Sequence, residues 1–168
     1  MTGNIPYNIT SPLIEKALLP PRPPRIVFLV QKEVADRVTA SAGESAYGAL
    51  SVGVQAVARA ERLFVVPAGA FHPRPKVDSA VLRLTPFHPP LVTDAELARF
   101  RRMTVGLFGF RRKQLGRGLR ELTGWTPDRV AEALARAAID PPARPETLTP
   151  EAFVRLQRVL VDGGWPGK

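Results

Sequence analysis

The sequence predicts an α/β protein: a half that mixes strands and helices, followed by a small all-α C-terminal domain. Three observations lead there. Arg25-Ile-Val-Phe-Leu-Val30 holds five consecutive apolar residues, the pattern of a strand buried on both faces. Arg62–Val66 and Asp78–Leu84 read as two more strands, joined by a proline-rich connection. Beyond residue 90 the apolar spacing becomes helical. The seam is Thr85-Pro-Phe-His-Pro-Pro90, where three prolines oppose regular structure. The chain is therefore read as two units, 1–88 and 89–168.

The elements follow in order. Ser11-Pro12 reads as an N-cap with proline at the first helical position, opening a helix to about Leu19. Four prolines within residues 20–24 stop it. After the strand at 25–30, Lys32 to about Ala40 and Leu50 to Ala58 read as helices. Pro67-Ala-Gly-Ala-Phe-His-Pro-Arg-Pro75 is too rich in proline for a tight hairpin. A long connection between neighbouring strands is a common place for function. In the second unit Thr93-x-x-Glu96 is a capping box ahead of Leu97 and Phe100. Leu107, Phe108, Leu115, Leu119 and Leu122 continue an apolar stripe, with bends expected at Gly109 and Gly116. Thr126-Pro127 and Thr149-Pro150 open helices near 127–138 and 150–161.

Composition narrows the function. The 168 residues are 45% hydrophobic and 23% charged, a globular balance. There is no cysteine, and His72 and His88 alone do not make a zinc site, so no metal is expected. No apolar run approaches the ~20 residues of a membrane span. The first residues lack a basic segment followed by an apolar run, so a cytoplasmic protein is expected. The formal net charge of +9 favours a polyanionic partner, nucleic acid before membrane surface. A GC-rich genome would also raise the arginine count. Both units share the excess: 10 Lys+Arg against 6 Asp+Glu in residues 1–90, and 14 against 9 in residues 91–168.

Asn4-Ile5-Pro6-Tyr7 fits one chemical problem, the alkylation of an exocyclic amine on a base. That nitrogen's lone pair is delocalised into the ring. An Asn side-chain oxygen accepts one N–H, and a backbone carbonyl beside proline accepts the other. Two acceptors draw the nitrogen toward tetrahedral geometry and aim its lone pair. Tyr7 offers a flat face to an extruded base. A strand-ending turn with a core tyrosine explains the same four residues. Phe71, held among stiff prolines, is suited to the opposite face of the base; plugging the core is the lesser explanation. Residues 99–120 hold eight Lys/Arg and no acid: Arg99, Arg101, Arg102, Arg111, Arg112, Lys113, Arg117 and Arg120. A solvated helix face is one explanation, but a run this one-sided repels itself and is better explained by a phosphate backbone. Arg74 and Lys76, just after Phe71, are placed to grip phosphates beside the target base.

Asn4–Ile9, Gln31–Arg37, Tyr47-Gly-x-Leu-Ser51 and Pro67–Leu84 together resemble the rRNA adenine N6,N6-dimethyltransferases of KsgA type. The resemblance is strong over residues 3–122 and looser beyond. It implies a Rossmann-like methyltransferase using S-adenosylmethionine, which dimethylates two adjacent adenines near the 3′ end of small-subunit rRNA in the assembling 30S subunit. It implies that Asn4 and Pro6 hold the target amine, that Tyr7 and Phe71 sandwich the base, and that Asn4 also touches the cofactor. The strands flanking 67–75 would be antiparallel, and the full-length protein monomeric. Arg111-Arg-Lys113 matches the family's basic cluster at a helix start, whereas Gly116-Arg-Gly118 departs from it and puts that helix's rigidity in question.

Cofactor binding of this class needs a Gly-rich turn after a strand, and the only G-x-G, at 116–118, follows a basic helix instead. Roughly 90 residues of preceding βα units are therefore expected to be missing. Thr2-Gly3 would be the last trace of a fourth strand, and the strand at 25–30 a sticky edge. Weak stability and no methyl transfer are expected of residues 1–168 alone. Alternative readings are a non-catalytic RNA-binding remnant, a large-subunit rRNA methyltransferase of the macrolide-resistance type, and an adenine-N6 DNA methyltransferase. The last shares the Asn/Asp-Pro-Pro-Tyr idea but not the 67–84 stretch.

Overall fold

The computed structural model describes residues 1–167. Four strands, β1 (Thr2–Asn4), β2 (Ile26–Gln31), β3 (Ala58–Val66) and β4 (Ser79–Pro86), form one mixed sheet in the order β1-β2-β4-β3. β1 runs parallel to β2, and β4 is antiparallel to both β2 and β3. Three helices belong to this half: α1 (Thr10–Ala17), α2 (Lys32–Thr39) and α3 (Ala49–Gln55). Four follow the sheet: α4 (Asp94–Phe108), α5 (Leu115–Thr123), α6 (Pro127–Arg136) and α7 (Pro150–Asp162).

The pleat explains which side of the sheet is covered. Ile26, Phe28 and Val30 face Leu84, Leu82 and Ala80 across the β2–β4 ladder, and all six are buried. With Ile14, Val34, Val38, Val54 and Val57 they make one core. The alternate residues Val27 and Leu29 are only half-buried, and Phe64 is 58% exposed. This corrects the expectation that 25–30 is buried on both faces. Nor is that strand an edge along its length: β1 pairs with it, Thr2 to Val27 and Asn4 to Leu29, so β1 carries the free edge instead.

Two local readings also change. α1 starts at Thr10, not after a Ser11 cap, and Pro12 is its third residue. The Thr10 hydroxyl donates to the Pro6 and Tyr7 carbonyls, so a 3-10 turn at Tyr7–Ile9 runs directly into the helix. Gly116 lies inside α5 and is no bend, whereas Gly109 does end α4. β3 begins at Ala58, earlier than Arg62, because its ladder with β4 extends to Pro86, with an irregularity between Arg62 and Phe64.

The second core is helical. Phe100, Met103, Leu107, Leu115, Leu119, Phe153, Leu156 and Leu160 are fully buried. Tyr47, Val52 and Ala56 from the chain before β3 pack in the same core. Tyr47 is fully buried, and its hydroxyl donates to the Leu148 carbonyl at 2.8 Å. Burial pushes this phenol's pKa up, with Glu151 adding to the rise. The Thr93–Glu96 capping box forms: the Thr93 amide and hydroxyl each donate to Glu96 Oε2 at 2.9 Å. The Thr126 and Thr149 hydroxyls accept from Arg129 and Ala152 amides, with proline at the next position in each case.

Candidate active site and nucleic-acid interface

β1 and β2 are parallel, so their carboxyl ends lie on one side of the sheet, where open α/β sheets place their sites. Asn4 ends β1 there and is exposed. The Ile5 amide donates to the Leu29 carbonyl at 3.1 Å, and the Ile5 side chain is buried. Pro6 then turns the chain. Its carbonyl is already committed, accepting the Ile9 amide at 3.2 Å and the Thr10 hydroxyl at 3.1 Å. Among the described residues the Asn4 side chain makes no hydrogen bond and the Ile5 carbonyl accepts none. Both groups are free to accept, whereas the Pro6 carbonyl is not.

Tyr7 is half-buried, and its hydroxyl lies 2.8 Å from Ser79 Oγ at the start of β4. Phe71 is also half-buried, one residue beyond the 3-10 turn Ala68–Ala70. Asp78 closes the base of this loop, since its Oδ1 accepts the Ala68 amide at 2.9 Å. Arg74 and Lys76 are exposed on the same loop. The structure thus ties Tyr7 and the Phe71 loop to one point, where the chain enters β4. Sequence reasoning missed the linking roles of Asp78 and Ser79. Both lie within the Pro67–Leu84 stretch that carries the resemblance, and no local spacing marks a bond across 72 residues.

The basic stretch divides in two. Arg101 pairs with Glu15, Arg102 donates to the Gly167 carbonyl, and Arg111 donates to the Ser45 carbonyl at 2.8 Å. Burial pushes the Glu15 carboxyl up and Arg101 pulls it partly back. Arg112, Arg117 and Arg120 are exposed, and their side chains make no ion pair or hydrogen bond among the described residues. Lys113 lies over the Phe110 ring at 5.5 Å. Lys113, Arg117 and Arg120 line an open groove of about 530 Å³ between α5 and α6, floored by Gly116, Val130 and Leu134. Gly118 serves packing: a Cβ there would sit 3.3 Å from Leu107 Cδ2 and 3.4 Å from Phe110 Cβ. This explains half of Gly116-Arg-Gly118 as close helix approach. A separate apolar cavity of about 350 Å³, between α1, α3 and α4, involves Leu18, Val54 and Leu97 but none of Asn4, Tyr7 or Phe71.

The Asn4 side chain, which the resemblance offers to S-adenosylmethionine, is unpaired among the described residues, and none of the four strands leads into a Gly-rich turn and helix. No group of three or more His, Asp or Glu is placed to hold a metal among the described residues, and no helix there is long and apolar enough to cross a membrane.

A mixed sheet with an Asn-Ile-Pro-Tyr loop at its carboxyl end, joined to a basic helical bundle, places the chain among Rossmann-like α/β proteins. The family model described as ribosomal RNA adenine dimethylase matches residues 1–162, and the chain belongs to that family. It is 46% identical over 157 residues to the ribosomal RNA small subunit methyltransferase A of Nitratidesulfovibrio vulgaris, covering 92% of this chain and 57% of that protein. It is 43% identical over 165 residues to the protein of the same name from Acidithiobacillus ferrooxidans, covering 98% and 60%. The chain therefore spans about three fifths of the length of the curated relatives it matches. Among solved structures, it is similar to a dimethyladenosine transferase from Plasmodium falciparum, with a TM-score of 0.84 and 25% identity over 98% of this chain and 67% of that one. It is also similar to the 23S rRNA methyltransferase ErmE, with a TM-score of 0.68 and 29% identity over 95% and 64%.

Proposed function

We propose that this chain provides the adenine-gripping face and the RNA-facing helices of an S-adenosylmethionine-dependent enzyme. That enzyme dimethylates N6 of two adjacent adenines near the 3′ end of small-subunit rRNA. The observation that carries this reading is the pair of free acceptors, the Asn4 side chain and the Ile5 carbonyl, at the carboxyl end of β1 beside the anchored Tyr7. Asn4 Oδ1 accepts one N–H of the target amine and the Ile5 carbonyl accepts the other. The nitrogen is thereby drawn toward pyramidal geometry, which loosens its lone pair from the ring's π system. S-adenosylmethionine supplies an electrophilic methyl group when bound. No strong base is needed, because the amine sheds its proton only after it has become more acidic. Tyr7 and Phe71 flank the base. Arg74, Lys76, Arg112, Lys113, Arg117 and Arg120 meet phosphates, while Arg101, Arg102 and Arg111 brace the protein itself. The division at residue 88 between the catalytic portion and the helical RNA-binding portion belongs to the same proposal. The relatives named for the small ribosomal subunit support that target over the large-subunit one.

The test is a binding comparison. A dimethylated N6 has no hydrogen to donate to either acceptor. Residues 1–168 should therefore bind a hairpin with unmodified adenines roughly tenfold tighter than its dimethylated counterpart. Asn4→Ala should remove most of that preference. Equal binding of the two RNAs by the unsubstituted chain would refute the proposal. Calorimetry on residues 1–168 should show no tight uptake of S-adenosylmethionine, and a micromolar isotherm would show that these residues suffice for the cofactor.

A further inference from the structure

The contacts with adenine leave Asp78 and Ser79 without a task, yet both are tied to its proposed walls. Ser79 opens β4 at the centre of the sheet, opposite Gln31 on one side and Val66 on the other. It is 1% exposed, and its hydroxyl bonds the Tyr7 hydroxyl at 2.8 Å, 72 residues away in the chain. Asp78 is held by its own backbone, whose carbonyl accepts the Lys32 amide at 2.9 Å where β2 meets α2. Its carboxylate accepts the amide of Ala68, itself buried. Ala68 begins the turn that ends at Phe71, and the Phe71 amide returns to the Ala68 carbonyl at 3.3 Å. Two consecutive residues, the last before β4 and the first within it, thus hold the tip of one ring and the base of the loop bearing the other.

We infer that Asp78 and Ser79 are positioning residues, which fix the plane of the Tyr7 ring and the base of the loop that carries the Phe71 ring. The inference rests on reading those rings as the walls of the adenine slot. The physical reason is orientation. A phenol anchored only at Cβ turns about two torsions, and a hydrogen bond at its far end fixes the ring plane. The buried Ser79 hydroxyl has little water to turn to, so it favours the phenol as partner. A proline-rich loop is stiff but needs a fixed base, and the Asp78 carboxylate supplies a charge-assisted one. A rigid slot binds a flat base without first having to order its walls.

The test uses residues 1–168 and an RNA hairpin carrying 2-aminopurine at the target position. That base has no 6-amino group, so it reads stacking without the amine contacts of Asn4 and Ile5. Ser79→Ala should weaken binding about fivefold when Tyr7 is present, and by less than about twofold in a Tyr7→Phe background, where the hydroxyl is already gone. Asp78→Ala should weaken binding by a similar factor and raise 2-aminopurine emission as the stack loosens. Asp78→Asn keeps the Oδ1 acceptor and should restore both to within about twofold. Circular dichroism of each variant separates a lost fold from a lost slot. Equal losses from Ser79→Ala in both Tyr7 backgrounds, or an Asp78→Asn variant as weak as Asp78→Ala, overturns the inference. Failure of the underlying adenine reading shows differently, as equal binding of unmodified and dimethylated RNA by the unsubstituted chain.

Discussion

Replacing Glu96 by glutamine isolates a charge that joins two helices of the basic bundle. Glu96 sits in the first turn of α4, where its carboxylate accepts from Thr93. It also accepts Arg158 Nε at 2.9 Å and Nη2 at 3.2 Å, from α7. The hydrogen bond from Arg158 is the main reason its carboxyl falls from the usual 4.5 to about 2, with burial opposing and Thr93 helping. Taken whole, that displacement is worth about 3 kcal/mol. The Glu96 side chain is 25% exposed and that of Arg158 is 52% exposed. Solvent screening therefore brings the contribution to about 1.5 kcal/mol. Glutamine preserves the capping geometry and removes the charge. The sign follows from which state takes up the proton first. The unfolded carboxyl titrates higher, so stabilisation is complete above about pH 5 and is lost as pH falls toward about 2. Urea unfolding should find the variant less stable by about 1.5 kcal/mol at neutral pH and by only about 0.5 kcal/mol at pH 3. A difference that stays constant across that range would refute the reasoning.

The two glycines of α5 should respond in opposite directions. A Cβ at Gly116 would meet Leu134 and Val130 at 3.8 Å, an ordinary contact. Gly116→Ala should therefore raise stability by about 0.5 kcal/mol through helix propensity. Gly118→Ala forces Leu107 and Phe110 aside and should cost about 1 kcal/mol net, read as opposite shifts in melting temperature. The divided basic stretch predicts a salt signature. Arg117→Gln and Arg120→Gln should each lower the slope of log affinity for RNA against log salt by about 0.7–1, whereas the paired Arg101→Gln should leave it nearly unchanged. An Arg101 variant with the same loss of slope would contradict the assignment.

Several elements were legible in the chain because their causes lie within a few residues. Thr93 reaches Glu96 three positions on, and proline follows Thr126 and Thr149, so α4, α6 and α7 start where the caps place them. Asn4-Ile-Pro-Tyr and the 67–75 connection were equally visible, since proline and the local order of side-chain types mark them. The α1 start was misread for the same kind of reason. Ser11-Pro12 has the form of a cap, but the Thr10 hydroxyl begins the helix earlier by bonding back to Pro6 and Tyr7.

What the sequence alone determined was therefore most of the elements, the place of the Asn4–Tyr7 motif, and the net positive charge. The tertiary structure decided which groups are free to act. Arg101 finds Glu15 across 86 residues, Arg111 finds Ser45 across 66, and Tyr47 finds Leu148 across 101. Such pairings depend on how the sheet and the bundle bring distant segments together. Periodicity and capping act over one or two turns and carry no information at that range. The Pro6 carbonyl is occupied, the Ile5 carbonyl is free, and Asp78 and Ser79 hold the base of the Phe71 loop and the Tyr7 hydroxyl for the same reason.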